Sequence, residues 1–147
     1  MEIGSGAGYP ASALSNFSPH PFILDGVKIA SMEGFLQSLK FSSIEMQVYV
    51  CTLVGKAAKF KGKRKNWYRT QKLYWLGVEL DRKSKEYQHL LDRAYAAMFE
   101  QSSSFRNALK AANTNVFTHS MGKKDETKTV LTEQEFCLRL RELSKLI

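Results

Sequence analysis

The first third of the chain combines a short alternating pattern with a helical one. Two apolar-rich triplets, Phe22–Leu24 and Val27–Ile29, flank Asp25-Gly26. Asp-Gly accommodates the positive φ angles of a tight type I′ turn, so the pattern predicts a β-hairpin. Ser31 is a typical helix N-cap residue. Four apolar residues follow it at helical spacing: Met32, Phe35, Leu36 and Leu39. The next ten residues are therefore predicted to form an amphipathic helix.

The middle of the chain is predicted to hold two short helices, a basic loop and a second hairpin. Residues 44–60 have helical periodicity that is interrupted near Gly55. A basic loop is predicted from Lys59 to Lys65. The weak alternation of residues 73–82 around Gly77 predicts the second hairpin.

The C-terminal half is predicted to be helical. Ser84 and Ser104 are each expected to begin a helix, and Asn113 to end the second one. Thr132 and Glu135 have the spacing of a capping box at the start of a final helix. The inward residues of that helix are predicted to be Phe136, Leu140, Leu143 and Ile147. Together the elements predict an α+β fold that is predominantly helical, with one or two small β-hairpins.

Composition is that of one globular domain over residues 1–147. Hydrophobic residues make up 44% of the chain and charged residues 24%, which suits a single core without disulfides. The chain lacks a signal-peptide pattern and an apolar run long enough to span a bilayer, so we expect a cytoplasmic protein without membrane association. Cys51 and Cys137 lie far apart and the three histidines are scattered, so we expect reduced thiols, no metal and no cofactor.

Charge and glycine content point towards phosphate without identifying its source. The net charge of +8 favours phosphorylated small molecules, nucleotides or nucleic acid, and charge alone does not choose among them. Residues 4–8 are glycine-rich. Residues 1–13 are thus interpreted either as a flexible start or as a segment whose backbone amides approach a phosphate.

The helix after the first hairpin carries the most informative polar residues. Glu33, Gln37 and Lys40 lie at i, i+4 and i+7, so they project from one face of the helix. An acid, an amide and a cation there could hold a sugar hydroxyl, a water and a phosphate. The spacing alone favours an ordinary amphipathic helix whose polar side faces solvent.

Several motifs of this region resemble the opening of the YbiA-like (NADAR) family. The matching segments, in order, are residues 14–19 (Leu-Ser-Asn-Phe-Ser-Pro), Asp25-Gly26, Met32-Glu33, Gln37 and Lys40-Phe41. Weaker matches follow at residues 65–67 and 93–101. The resemblance covers most of residues 14–120 and implies a single domain of YbiA-like type.

That resemblance also implies a chemistry. Members of the family hydrolyse the C–N bond between ribose and a nitrogenous group, in riboflavin-pathway intermediates or in ADP-ribosylated guanine and related adducts. The reaction passes through an oxocarbenium-like transition state. For this chain it implies an N-glycosidase that acts without a cofactor on a phosphorylated ribosyl or ADP-ribosyl compound, with ADP-ribosylated nucleic acid as one substrate class.

The resemblance assigns roles residue by residue. Glu33 is the expected catalytic carboxylate, as a general base or a stabiliser of the cation. Its position in the first helical turn favours the ionised form, whereas burial would favour the neutral form. The expected substrate-binding residues are Asn16, Phe17, Gln37, Lys40, Lys65, Trp67 and His119. Trp67 either stacks on a base or packs in the core.

The segment after His119 departs from the family pattern. Relatives commonly carry an acidic-aromatic segment there, whereas this chain has Ser-Met-Gly-Lys-Lys-Asp at residues 120–125. Asp125 could supply the acid, or the lysines could recognise a more charged substrate. Position 34 is glycine where many relatives have histidine. Two alternative functions stay open: an inactive ADP-ribose- or nucleotide-binding module, and a nucleic-acid binder that uses residues 59–65 and Lys123-Lys124.

Overall fold

Turn and cap residues set where the elements of this protein begin and end. A computed structural model describes all residues, 1–147. It contains six α-helices: α1 Met32–Ser38, α2 Ile44–Val50, α3 Gly55–Lys63, α4 Lys85–Gln101, α5 Ser103–Ala112 and α6 Glu133–Ser144. Its four strands are β1 Phe22–Leu24, β2 Val27–Ile29, β3 Lys72–Trp75 and β4 Val78–Asp81. Single 3₁₀ turns lie at Ser12–Leu14 and Trp67–Arg69. The α+β, mainly helical fold is confirmed.

Both predicted hairpins are present, and each is a separate antiparallel pair. Strand β1 pairs with β2 so that Leu24 faces Val27 across the turn. Asp25 and Gly26 have φ values of 50° and 81°, as a type I′ turn requires. The second turn has the same conformation, since Leu76 and Gly77 have φ values of 49° and 88°.

Serine side chains cap four helices: α1, α2, α4 and α5. Ser31 accepts a hydrogen bond from the Gly34 amide, and Ser84 accepts one from Tyr87. The predicted cap at Ser104 is wrong, because Ser102 caps α5. The Ser104 hydroxyl lies 2.7 Å from Nδ1 of the buried His20 instead. Asn113 ends α5 with a left-handed conformation, as predicted.

The N-terminus of α6 is tied to β4 and α4 through one carboxylate. Glu135 completes the predicted capping box with Thr132. Its two oxygens also accept hydrogen bonds from both terminal nitrogens of Arg82, at 3.0 and 2.5 Å. Gln88 of α4 donates a further bond at 2.6 Å. Arg82 follows β4 directly and is completely buried, so Glu135 joins three parts of the fold inside the protein.

Helix α1 lies at the centre of the fold and contacts α2, α3, α4 and β2. Its residues Phe35, Leu36 and Leu39 are fully buried, and the Phe35 ring packs edge-on against Trp75 at 5.1 Å. The element that carries the motif residues is therefore held on several sides. None of the helices has both the length and the apolar character needed to cross a membrane.

Two local predictions from the sequence are wrong, and the structure adds a contact at the N-terminus. The predicted basic loop is wrong for most of its length, because residues 59–63 continue α3. Ile147 was predicted to face inward but is 52% exposed. At the glycine-rich start, Ile3 is buried and its amide donates to the Thr118 carbonyl at 2.8 Å.

Candidate functional site

The Glu33 carboxylate is held in place by neighbouring groups on two sides. Glu33 lies in the first turn of α1 and is half-buried. Its amide donates to the carbonyl oxygen of Asn16 at 3.0 Å. One turn later, Gln37 Nε2 donates to Glu33 Oε2 at 3.1 Å. The i, i+4 spacing read from the sequence therefore places these two side chains in contact.

Burial decides the ionisation of Glu33. Removal of solvent raises the pKa of its carboxyl above the usual range. Smaller effects lower it: the Gln37 hydrogen bond and the charges of Lys40, Lys59 and His119. Of the two opposing effects expected from the sequence, burial prevails, so Glu33 takes up a proton more readily than an exposed glutamate.

Burial also shifts the pKa of Lys40, in the direction opposite to that of Glu33. Loss of solvent lowers the pKa of its ammonium group to about 8. The Glu33 carboxylate raises this pKa, whereas the charge of Lys123 lowers it. Lys59 and Lys123 are both exposed. Three cationic or basic side chains, Lys40, Lys59 and His119, thus act on the Glu33 carboxylate, and Lys123 acts on Lys40.

Asn16 is oriented by a tyrosine that the sequence did not single out. The hydroxyl of the buried Tyr95 donates to Asn16 Oδ1 at 2.7 Å. The hydrogen bond from Tyr95 uses only the oxygen of the Asn16 amide, so Asn16 Nδ2 can donate to a ligand. Tyr95 lies four residues after Leu91 on α4. That spacing could have indicated its inward position, although not its partner.

His119 reaches the Glu33 site from the loop that precedes α6. Its Nδ1 lies 2.8 Å from the Ile3 carbonyl oxygen. Because a carbonyl only accepts, Nδ1 carries the proton and Nε2 remains available to a ligand. The ring packs edge-on against Phe136 at 5.3 Å, and the His119 amide donates to Glu133 at 3.3 Å. His119 is therefore held by both the N-terminus and α6.

Two glycines allow the helices to close around Glu33 and Gln37. A Cβ atom at Gly62 of α3 would lie 1.8 Å from Gln37 Oε1, so the Gln37 amide occupies the space of the missing side chain. A Cβ at Gly34 would lie 2.6 Å from the Leu53 carbonyl oxygen. The chain after α2 thus packs directly on α1 at the position where many YbiA-like relatives have histidine.

The other expected site residues lie outside this group of contacts. Trp67 is only 7% exposed and belongs to the hydrophobic core. Lys65 lies over the ring of Phe41, with Nζ 5.2 Å from its centroid. The Phe17 ring lies against Gly55 at the start of α3. Their roles in substrate binding stay predictions.

The loop that follows His119 contributes a lysine to this region. Asp125 accepts hydrogen bonds from Thr127, and the charges that affect its pKa are those of Lys128 and Lys83. Lys123, in contrast, affects Lys40. The structure therefore brings the lysine of the loop, and not its acid, towards Lys40.

Glu33 lines neither of two concavities on the surface. One of about 460 Å³ lies beside the first hairpin, between Phe22, Lys28 and Gln101. The other, of about 280 Å³, is lined by Phe117 and Cys137 together with three polar residues of the same region. No group of three or more His, Cys, Asp or Glu side chains is arranged to hold a metal ion.

Comparison with known proteins identifies the family. Residues 8–145 match the family model of the bacteriophage protein GP30.3. The chain belongs to this family. A relative, an uncharacterised 17.1 kDa protein from the Gp30–rIII intergenic region of Enterobacteria phage T4, is 39% identical over 142 residues. That match covers 92% of this chain and 91% of the phage T4 protein.

The fold is also found in a bacterial protein. The NMR structure of YbiA from E. coli matches 99% of this chain and 83% of its own, with a TM-score of 0.65. The two sequences are 16% identical. The GP30.3-family chain therefore has a YbiA-like fold, as the motif pattern predicted.

Proposed function

We propose that this protein is an N-glycosidase that hydrolyses the C–N bond of a phosphorylated ribosyl or ADP-ribosyl compound. The observation that carries the proposal is the Glu33 carboxyl, held by Gln37 and surrounded by Lys40, Lys59 and His119. The cations of such a site can bind an anionic substrate, while the carboxylate lies beside the anomeric carbon, which becomes positive during the reaction. The YbiA-like motifs and fold support the same reaction class.

Substrate binding in this mechanism uses the cationic groups. The ammonium groups of Lys40, Lys59 and Lys123 bind the phosphate oxygens, since charge-assisted hydrogen bonds to phosphate are short and strong. Asn16 Nδ2 donates to a ribose hydroxyl, and Gln37 keeps Glu33 in its position. His119 Nε2 forms a further hydrogen bond with the ribose or the phosphate.

Bond cleavage uses Glu33. The electron pair of the C–N bond leaves with the nitrogenous group while positive charge spreads over the anomeric carbon and the ring oxygen. The Glu33 carboxylate stabilises this cation and removes a proton from the water that adds to the carbon. Burial makes Glu33 a stronger base than an exposed glutamate, and its proton then passes to the departing nitrogen.

The test is Glu33→Gln, which preserves size and the contact with Gln37. We expect turnover to slow by roughly 10² to 10⁴, with substrate affinity largely kept because the loss falls on the transition state. Ribosylaminopyrimidine phosphates, NAD-type nucleotides and ADP-ribosylated nucleic acid are the substrates to screen. Glu45→Gln is the matched control, since Glu45 also lies in a first helical turn but is exposed. If Glu33→Gln hydrolyses a substrate at the wild-type rate, Glu33 is not the catalytic residue.

A binding module without turnover is the alternative function. The position of Asp125 favours it, because this acid does not replace the acidic-aromatic segment of YbiA-like relatives near Lys40. The two functions differ in one measurement. If calorimetry detects binding of ADP-ribose to wild type and Glu33→Gln alike, while neither releases product from any substrate screened, the binding module is correct.

A further inference from the structure

The positive charge of this protein is concentrated in one segment. Residues 46–78 contain eight Lys and Arg residues and no Asp or Glu. Outside this segment, acidic and basic residues are equal in number, so it accounts for the whole net charge of +8. Only one of its eight cations, Lys72, pairs with an acid, which is Asp81. The other seven are exposed and form no ion pair: Lys56, Lys59, Lys61, Lys63, Arg64, Lys65 and Arg69.

Four lysines and one phenylalanine of α3 have exposed side chains. Ala58 and Gly62 are buried, so they mark the inward face. At 100° per residue, Lys56, Phe60 and Lys63 then lie on the opposite face, and Lys59 and Lys61 lie on the two flanks. We call the exposed side of α3, together with Tyr49 and the exposed residues of the segment 64–69, the basic face.

The basic face extends from the Glu33 site to α2. On one flank, the charge of Lys59 acts on Glu33. On the other flank, Lys61 Nζ lies 5.6 Å from the centroid of Tyr49 of α2. The cations of α3 therefore extend from the flank near Glu33 to the flank near Tyr49.

Aromatic rings lie among these cations. Tyr49, Phe60 and Tyr68 are 51%, 58% and 51% exposed. Lys63 Nζ lies 5.9 Å from the Phe60 ring, so two of the three rings have a lysine close by. Exposed aromatic rings combined with unpaired cations are the two components that proteins use to bind unpaired nucleic-acid strands, by stacking on bases and neutralising phosphates.

We propose that the basic face binds single-stranded nucleic acid. A duplex keeps its bases stacked and would leave the three rings without a partner. A membrane surface fits less well, because a helix that lies on lipid presents its apolar side to the acyl chains, and the small inward residues of α3 pack on α1. The proposal needs no catalysis at Glu33.

The first experiment measures affinity for labelled 12-nucleotide single strands, DNA and RNA, by fluorescence anisotropy over a range of salt. Wild type should bind both, and log affinity should fall linearly with log salt, by roughly 0.7 per phosphate neutralised. Lys61→Glu/Lys63→Glu should weaken binding about tenfold or more and make the salt slope shallower by about 1.4. Lys85→Glu/Lys110→Glu is the control, since it changes the net charge equally at exposed helical positions elsewhere.

The second experiment separates base stacking from charge. Phe60→Ala should weaken binding of single strands about fivefold or more but leave binding of inorganic polyphosphate unchanged. Tyr68→Ala should do the same. Circular dichroism should show wild-type folding for each variant, because the altered side chains are exposed.

Three results would overturn the proposal. One is equal weakening by the test pair and the control pair, which would show only long-range attraction. Another is that duplex DNA, polyphosphate or vesicles with anionic lipid bind as tightly as single strands. The third is an absence of single-strand binding at low salt. Glu33→Gln should bind strands like wild type even though it loses hydrolysis, so this proposal and the N-glycosidase proposal fail separately.

Discussion

Glu33 lies in the first turn of α1 and Lys40 just after its last turn, and burial disfavours the charged form of both. Each charge partly offsets the other, since the carboxylate raises the pKa of Lys40 and the ammonium group lowers that of Glu33. A lysine with a pKa of about 8 is mostly protonated at neutral pH yet poorly solvated. It therefore has more to gain from a phosphate than a fully solvated surface lysine.

This coupling predicts how Lys40 titrates in two variants. The pKa of Lys40 should be about 8 in the wild type. It should fall further in Glu33→Gln, because the attraction of the carboxylate is lost, and rise in Lys123→Gln, because a like charge is removed. NMR titration of the lysine Cε resonances measures all three values. Lys124→Gln is the control, and an equal rise in that variant would mean that Lys123 has no specific effect on Lys40.

At the scale of elements, the site depends on how closely α3 approaches α1. The Gln37 amide fills the space left by the missing side chain of Gly62, and this contact keeps Gln37 against Glu33. Helix α3 thus positions the carboxylate without touching it. The resemblance to YbiA-like proteins assigns a role to Gln37 but none to Gly62.

Gly62→Ala should therefore change Glu33 through Gln37. The new methyl group displaces the amide and removes its hydrogen bond, so the pKa of Glu33 should rise. Gln37→Ala should raise this pKa as well, and adding Gly62→Ala to it should have no further effect on Glu33. In that background alanine should stabilise α3 by up to about 1 kcal/mol, because glycine is the poorer helix former. Carboxyl NMR titration and urea unfolding give the two readouts; additive pKa changes in the double variant would contradict this mechanism.

At the scale of the whole molecule, Glu135 of α6 pairs with the buried Arg82, which directly follows β4, and also binds Gln88 of α4. Burial alone would raise the pKa of Glu135, but hydrogen bonds from Arg82, Thr132 and Gln88 together hold it below the usual range. The ionised carboxylate is thus favoured in the folded state. Its contribution to stability is present above the unfolded pKa of 4.5 and is lost as pH falls through the lower folded value.

Glu135→Gln should destabilise the protein strongly at neutral pH. Arg82 would keep a completely buried charge without its partner, which costs about 3–5 kcal/mol. The difference from wild type should shrink below pH 4.5, where the unfolded wild type takes up a proton first and folded Glu135 follows at lower pH. Urea unfolding across this range tests the prediction, with exposed Glu142→Gln as control. A difference that does not vary with pH would show that the charge of Glu135 is unimportant.

The sequence determined the features that depend on neighbouring residues. Asp25-Gly26 specified the first turn because few other pairs adopt two positive φ angles, and Thr132 with Glu135 specified the start of α6 because the capping box closes within four residues. The i, i+4 spacing likewise brought Gln37 to Glu33. Such contacts are fixed by local geometry and can be inferred without the rest of the chain.

Only the tertiary structure decided the features that join distant segments. The basic stretch from Lys59 to Lys63 has few apolar residues and is predicted as a loop, yet it continues α3, whose buried Ala58 and Gly62 face α1. The bond from Tyr95 to Asn16, the approach of His119 to Glu33 and the burial of Trp67 likewise depend on packing between segments far apart in sequence. The pKa of Glu33 belongs here too, because the burial that raises it is a property of the folded chain.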